Sequence, residues 1–150
     1  MRFTQAFEIT KWDQSAYDES GDLTLGRAAV GKTFTATSLE ATQPEGTEPE
    51  GAKPEGTGPE GAGLEGTSTA ELLMVGTTEG PAAYTAVERF TGTLAGRDGS
   101  FVMVHGASAD QDSSPGKIVA ADGDLRGLTG TVLYEHDDKG PRLTLDYELP

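Results

Sequence analysis

Apolar and polar residues alternate with a period of two along most of this chain. Phe3, Gln5, Phe7 and Ile9 share one face of the first run, and Thr4, Ala6, Glu8 and Thr10 share the other. Such alternation is the mark of a half-buried strand. It predicts strands over about 3–12, 23–38, 68–77, 82–95, 99–108, 116–121, 129–136 and 141–149. Gly- and Asp-rich clusters punctuate them: Glu19-Ser20-Gly21-Asp22, Glu79-Gly80-Pro81, Gly96-Arg97-Asp98-Gly99, Ala121-Asp122-Gly123-Asp124 and Asp137-Asp138-Lys139-Gly140. These residues tolerate positive φ or preset a turn. No segment sustains a helical period, and at most one helical turn is expected near Asp13–Asp18. The expected class is all-β, an eight-stranded antiparallel β-barrel. Closure removes the sheet edges, and a partly polar lumen accommodates the mixed inner faces better than a dry sandwich core would.

The same alternation singles out candidate chemistry. Phe90 and Phe101 flank the turn between the fourth and fifth runs and are expected to point inward. Glu88 and His105 then share that inward face, and Glu71, with Leu73 and Val75, is expected to join them. Glu88, His105 and Glu71 are thus acid/base candidates, in a cavity walled by Tyr84, Phe90, Phe101 and Met103. Burial favours the protonated carboxyl, so Glu88 is expected to hold its proton near neutral pH. Glu88→Gln is then expected to abolish turnover with little change in thermal midpoint. The bland alternative pairs Glu88 with neighbours of Arg89 or with Lys32 and leaves His105 a satisfied wall residue. Trp12 is expected at the rim, covering one end with its N–H bonded to backbone, or stacking on a ligand. Tyr147, on the set Leu143, Leu145, Tyr147 and Leu149, either offers its hydroxyl to a ligand or is an ordinary core tyrosine.

One segment breaks the pattern. Residues 43–67 repeat every five, from Gln43-Pro44-Glu45-Gly46-Thr47 to Gly63-Leu64-Glu65-Gly66-Thr67, with six Glu and one Lys. Pro blocks both helix and ladder hydrogen bonding, and Gly adds chain entropy that no apolar burial offsets. A disordered insertion within a single domain spanning 1–150 is expected, and its excision is expected to leave the fold intact.

Several stretches resemble a bacterial family known as domain of unknown function 3224. They are Phe7-Glu8-Ile9-Thr10-Lys11-Trp12-Asp13, Tyr17-Asp18-Glu19, Ala29-Val30-Gly31-Lys32-Thr33-Phe34, and the dense run from Tyr84 to Phe101 with His105-Gly106 beyond. Leu125-Arg126-Gly127-Leu128-Thr129-Gly130 and Leu145-Asp146-Tyr147 complete the likeness. The resemblance implies a barrel similar to allene oxide cyclase. Barrels of that shape include cyclases and isomerases that fold a flexible substrate in an apolar cavity.

Composition narrows the partners. The 150 residues carry 25 Asp+Glu against 11 Lys+Arg, a formal charge of -14. That balance opposes phosphate backbones and anionic membrane surfaces. There is no cysteine, and the two histidines, His105 and His136, are too few for a three-histidine zinc site. No GxGxxG, GxxxxGK[ST], HExxH or GxSxG is present. The turn Asp137-Asp138 and the loop Asp110-Gln111-Asp112 lack a calcium-loop pattern and read as solvated. No cofactor or metal is therefore expected, nor a nucleic-acid or membrane partner. The start of the chain shows no apolar leader, which makes a cytoplasmic location the default. Two functions fit: a barrel binding a small apolar or amphipathic molecule, catalysing its cofactor-free cyclisation or isomerisation, or a non-catalytic binding or homo-oligomeric scaffold. A cavity of about 300 Å³ or more separates the first from a filled scaffold.

Overall fold

A computed structural model describes residues 1–39 and 63–150. Eight strands follow in order: β1 (Arg2–Ser20), β2 (Leu23–Leu39), β3 (Leu64–Thr77), β4 (Gly80–Leu94), β5 (Arg97–Ser108), β6 (Ser113–Gly123), β7 (Thr129–Asp137) and β8 (Gly140–Glu148). Each pairs antiparallel with the next, and β8 returns to β1 through Phe3↔Leu145 and Gln5↔Leu143, so the sheet closes into a barrel. No helix occurs among the described residues, and none there is long and apolar enough to cross a membrane. The helical turn expected near Asp13–Asp18 is replaced by strand. β1 runs on to Ser20 because β2 pairs with it as far as Leu23.

Three register shifts in β1, at Gln5/Phe7, Ile9/Lys11 and Ala16/Asp18, bend that strand. Only Arg2–Ala6 of β1 pair with β8, and the rest rises beyond it with β2. Between β4 and β5 the tight turn is Ala95-Gly96, one step earlier than the glycine cluster suggests. Both residues have positive φ, +53° and +82°, as a two-residue hairpin of the right twist requires.

The lower half of the barrel is packed solid. Phe3, Phe7, Phe34, Phe90, Phe101, Met103, Leu143, Leu145 and Tyr147 form one buried cluster there with Leu64, Leu94 and Leu125. Phe90 sits 5.2 Å from Phe101 and 5.7 Å from Phe34, ring centre to ring centre. Each fully buried aromatic contributes roughly 1.5–3 kcal/mol by leaving water.

Most of the 43–67 repeat lies outside the described residues. Its last unit does not, and here the sequence expectation is corrected. Residues 64–67 open β3, where Leu64 replaces the repeat's proline and is fully buried. The buried Gln5 amide grips this point: its Nε2 donates to the Leu64 carbonyl at 2.8 Å and to the Thr35 carbonyl at 2.9 Å, while Leu64 N–H donates to its Oε1 at 2.8 Å. Excising 43–67 whole would remove a core side chain and this clamp, so it would not leave the fold intact.

Candidate functional site

Lysine, serine, glutamate, histidine and tyrosine side chains meet in one layer across the barrel, just above the aromatic core. On β4 the inward residues are Tyr84, Ala86, Glu88 and Phe90, and on β5 they are Phe101, Met103 and His105. β2 contributes Lys32, β3 Ser68 and β7 Tyr134, all buried. Glu88 is the hub. Its Oε1 accepts from Lys32 Nζ at 3.0 Å, His105 Nε2 at 2.8 Å and the Tyr134 hydroxyl at 3.0 Å, and its Oε2 accepts from Ser68 Oγ at 2.5 Å. The Lys32 ammonium lies 4.0 Å from the Tyr134 ring centre and 5.1 Å from that of Phe7. This buried layer holds a compensated charge pair with its carboxylate fully hydrogen-bonded, the condition under which such a pair is tolerated inside a protein.

That environment reverses the expected ionisation. Burial alone would raise the Glu88 carboxyl. The hydrogen bond from His105, the charge of Lys32 and the hydrogen bond from Ser68 together outweigh it and hold the group at about 2, below its ordinary 4.5. Glu88 is therefore a carboxylate at neutral pH, not the proton-holding acid its apolar neighbours suggest. Burial lowers Lys32 despite the attraction of Glu88, and burial together with the Glu88 charge raises Tyr134 well above the ordinary tyrosine.

A pH dependence follows. Because the folded-state value of Glu88 lies below the unfolded one, its contribution is complete above about pH 4.5 and lost as pH falls towards 2. The loss is on the order of 3 kcal/mol at 1.36 kcal/mol per pH unit. Urea denaturation from pH 6 to pH 2 is expected to show this acid limb, and a Lys32→Met/Glu88→Leu variant is expected to lack it. Parallel limbs in the two proteins would contradict it.

Above the layer the barrel is hollow. A cavity of about 630 Å³ reaches from a floor of Lys32, His105 and Tyr134 to a mouth at Ile9, Trp12 and Pro81. Its walls are mainly apolar, with Val30, Leu72, Met74 and Tyr84 among them, while Ser114 and His136 add polar groups. Glu88 does not line it, being covered by the residues that bind it. Tyr84 stands at the edge of the floor, its hydroxyl 2.9 Å from His105 Nδ1. Burial raises the Tyr84 hydroxyl, against a hydrogen bond from Ser114.

The candidates from the sequence separate accordingly. Glu88 and His105 come together, and Tyr84 and Trp12 line the cavity. Trp12 is half exposed at the mouth, with its N–H on the Gln14 side chain at 2.9 Å and not on backbone. Glu71 is exposed on the outer face: the inward set of β3 is Ser68, Ala70 and Leu72, one residue out of phase with Glu71, Leu73 and Val75. Phe90, Phe101 and Met103 belong to the solid core below the polar layer and wall no cavity. Tyr147 also faces inward, but at the opposite end, edge-on to Phe3 at 6.0 Å. Ser68 and Tyr134 were missed. Tyr134 had a signal, since it shares a face with Val132, and so did Lys32, a charge in step with Ala28, Val30 and Phe34. Among the described residues no group of three His, Asp or Glu is placed to hold a metal ion.

Comparison with known proteins agrees with this architecture. A solved structure titled as a protein of unknown function from the DUF3224 family, from Shewanella oneidensis MR-1, superimposes with a TM-score of 0.70. It is 24% identical, and the match covers 100% of this chain and 98% of that one. No curated protein matches the chain. The model of the family described as "Protein of unknown function (DUF3224)" matches residues 60–149, more than half the length. The chain belongs to that family.

Proposed function

We propose that this protein binds a small apolar or amphipathic molecule inside its barrel and converts it there without a cofactor, by cyclisation or isomerisation. The observation that carries the reading is the cavity. Its volume, about 630 Å³, is twice the threshold that separates a ligand site from packing voids, and its apolar walls end on a floor of convergent polar groups. Such a site takes an apolar body by desolvation and orients it by one polar end. The likeness to allene oxide cyclase barrels belongs to the same proposal and rests on the closed eight-stranded sheet with a hollow upper half.

Binding is tested with a neutral solvatochromic dye such as Nile red. One saturable site is expected, and the emission of Trp12, the single tryptophan, is expected to shift to the blue as the mouth is covered. Met74→Trp, which fills the cavity from β3, is expected to weaken dye binding at least tenfold, read from the dye's own emission. Unsaturable binding, or binding indifferent to that substitution, would place the dye elsewhere and overturn the reading.

A further inference from the structure

Resting on the cavity as a ligand site, we propose that Tyr84, His105 and Glu88 form a proton relay acting on an enolisable ketone, with Lys32 holding the carbonyl oxygen. The direction of the hydrogen bonds carries the argument. The Glu88 carboxylate can only accept, so His105 Nε2, 2.8 Å away, bears a proton. In the neutral imidazole Nδ1 is then a lone pair, and the Tyr84 hydroxyl 2.9 Å from it is the donor. Carboxylate, imidazole and hydroxyl stand in the order of an orienter, a base and a reactive hydroxyl, with a phenol as the group that faces the cavity. Glu88 and His105 are positioning residues here, and Tyr84 is the catalytic one.

Lys32 completes the chemistry. Its ammonium gives one N–H to Glu88, and Lys32 is among the residues of the cavity floor, so a ligand oxygen seated there would take one of the remaining N–H donors. The polar layer already compensates Lys32 with Glu88, and the whole chain is at -14. An anionic head group therefore gains little there, whereas a neutral carbonyl needs only the donor. The apolar walls of Val30, Leu72 and Met74 suit the hydrocarbon part.

The step balances without oxidant or cofactor. Tyr84 Oη takes the proton from the carbon beside the carbonyl while its own proton passes to His105 Nδ1. The C–H pair becomes the enolate double bond, and the carbonyl π pair moves to the oxygen held by Lys32. The imidazolium formed lies against Glu88. The proton returns from Tyr84 Oη to the same carbon, or to one further along a conjugated chain, and Tyr84 recovers its proton from His105. The second outcome moves a double bond.

The test uses 2-tetralone in D₂O, with loss of its α-proton signals followed by NMR. Wild type is expected to exceed buffer by at least about 10²-fold, the ordinary contribution of a placed acid/base. Tyr84→Phe and His105→Gln are each expected to lose at least about nine-tenths of that acceleration while still blue-shifting Trp12 with the neutral dye. The ¹⁵N shifts of His105 are expected to show Nε2 protonated and Nδ1 bare. Dye binding without ketone exchange, exchange unchanged in Tyr84→Phe, or the reverse tautomer would overturn the relay and leave the binding site standing. Failure of both dye and ketone to bind would overturn both.

Discussion

Glu88→Gln is expected to cost about 3–5 kcal/mol of folding stability at pH 7, because it leaves the buried Lys32 ammonium without its counter-charge. The amide also turns one accepting oxygen into a donor, among four groups that all donate to this side chain. This revises the expectation drawn from sequence, in which the same substitution left the thermal midpoint nearly unchanged. There Glu88 was one of a cluster with His105 and Glu71 facing a cavity; here it is the centre of the layer that separates cavity from core. Urea denaturation of wild type, Glu88→Gln, Lys32→Met and the double variant Lys32→Met/Glu88→Gln measures the effect. The double variant is expected to lose at least about 2 kcal/mol less than the two single losses together, since residues sharing one network do not add. A Glu88→Gln loss below about 1 kcal/mol, or strict additivity, would show that the pair is not coupled as its geometry requires.

Gly92→Ala is expected to be comparably damaging for a reason unrelated to charge. Gly92 on β4 pairs with Gly66 on β3, and both have φ near +150°. A Cβ built at Gly92 would lie 2.1 Å from the Glu65 carbonyl oxygen and 2.8 Å from Gly66 Cα, atoms of backbone that cannot swing aside. At Gly66 the corresponding Cβ would lie 2.2 Å from the Thr91 carbonyl oxygen and 3.1 Å from the Phe90 ring. The two bare glycines let β3 and β4 come together beneath Phe90. A methyl group there costs about 2 kcal/mol in backbone conformation and about 2 kcal/mol in overlap, roughly 4 in all. The thermal midpoint and the urea midpoint are both expected to fall. Gly96→Ala, in the turn that follows, serves as the control: it has positive φ, but open space around its Cβ, and is expected to lose only the conformational part. Equal losses at the two positions would show that close approach of the strands is not what Gly92 permits.

The family likeness brings no activity with it, since the family carries no assigned function. The functional reading stands on geometry alone: a hollow upper barrel, a solid lower one, and a polar layer between them.

How much of this was legible in the chain differs from strand to strand. On β1, β4, β5 and β8 the alternation of Phe3/Gln5/Phe7, Glu88/Phe90, Phe101/Met103/His105 and Leu143/Leu145/Tyr147 announces one inward face. All of those residues are buried. Period two is a local property of an extended backbone, so it can be read within a single strand. On β3 it cannot. Leu72 and Leu73 are adjacent and apolar, both phases look plausible, and Glu71 was assigned inward when Ser68, Ala70 and Leu72 are the residues that point in. Pairing with β2 and β4 sets that phase, and those partners are distant in sequence.

The chain by itself determined that the fold is built of eight strands and that Glu88 and His105 share a face, though not the strand over 13–18 or over 64–67. Tertiary structure alone decided at what height each inward residue stands. Height depends on the register accumulated around the whole closed sheet, which no single strand encodes. It puts Phe90, Phe101 and Met103 in solid core, Tyr84 at a cavity and Glu88 between them, where His105, Lys32 and Ser68 outweigh burial and turn an expected acid into a carboxylate. Alternation tells a side chain which way to face, and only the closed ring of neighbours tells it what it will meet there.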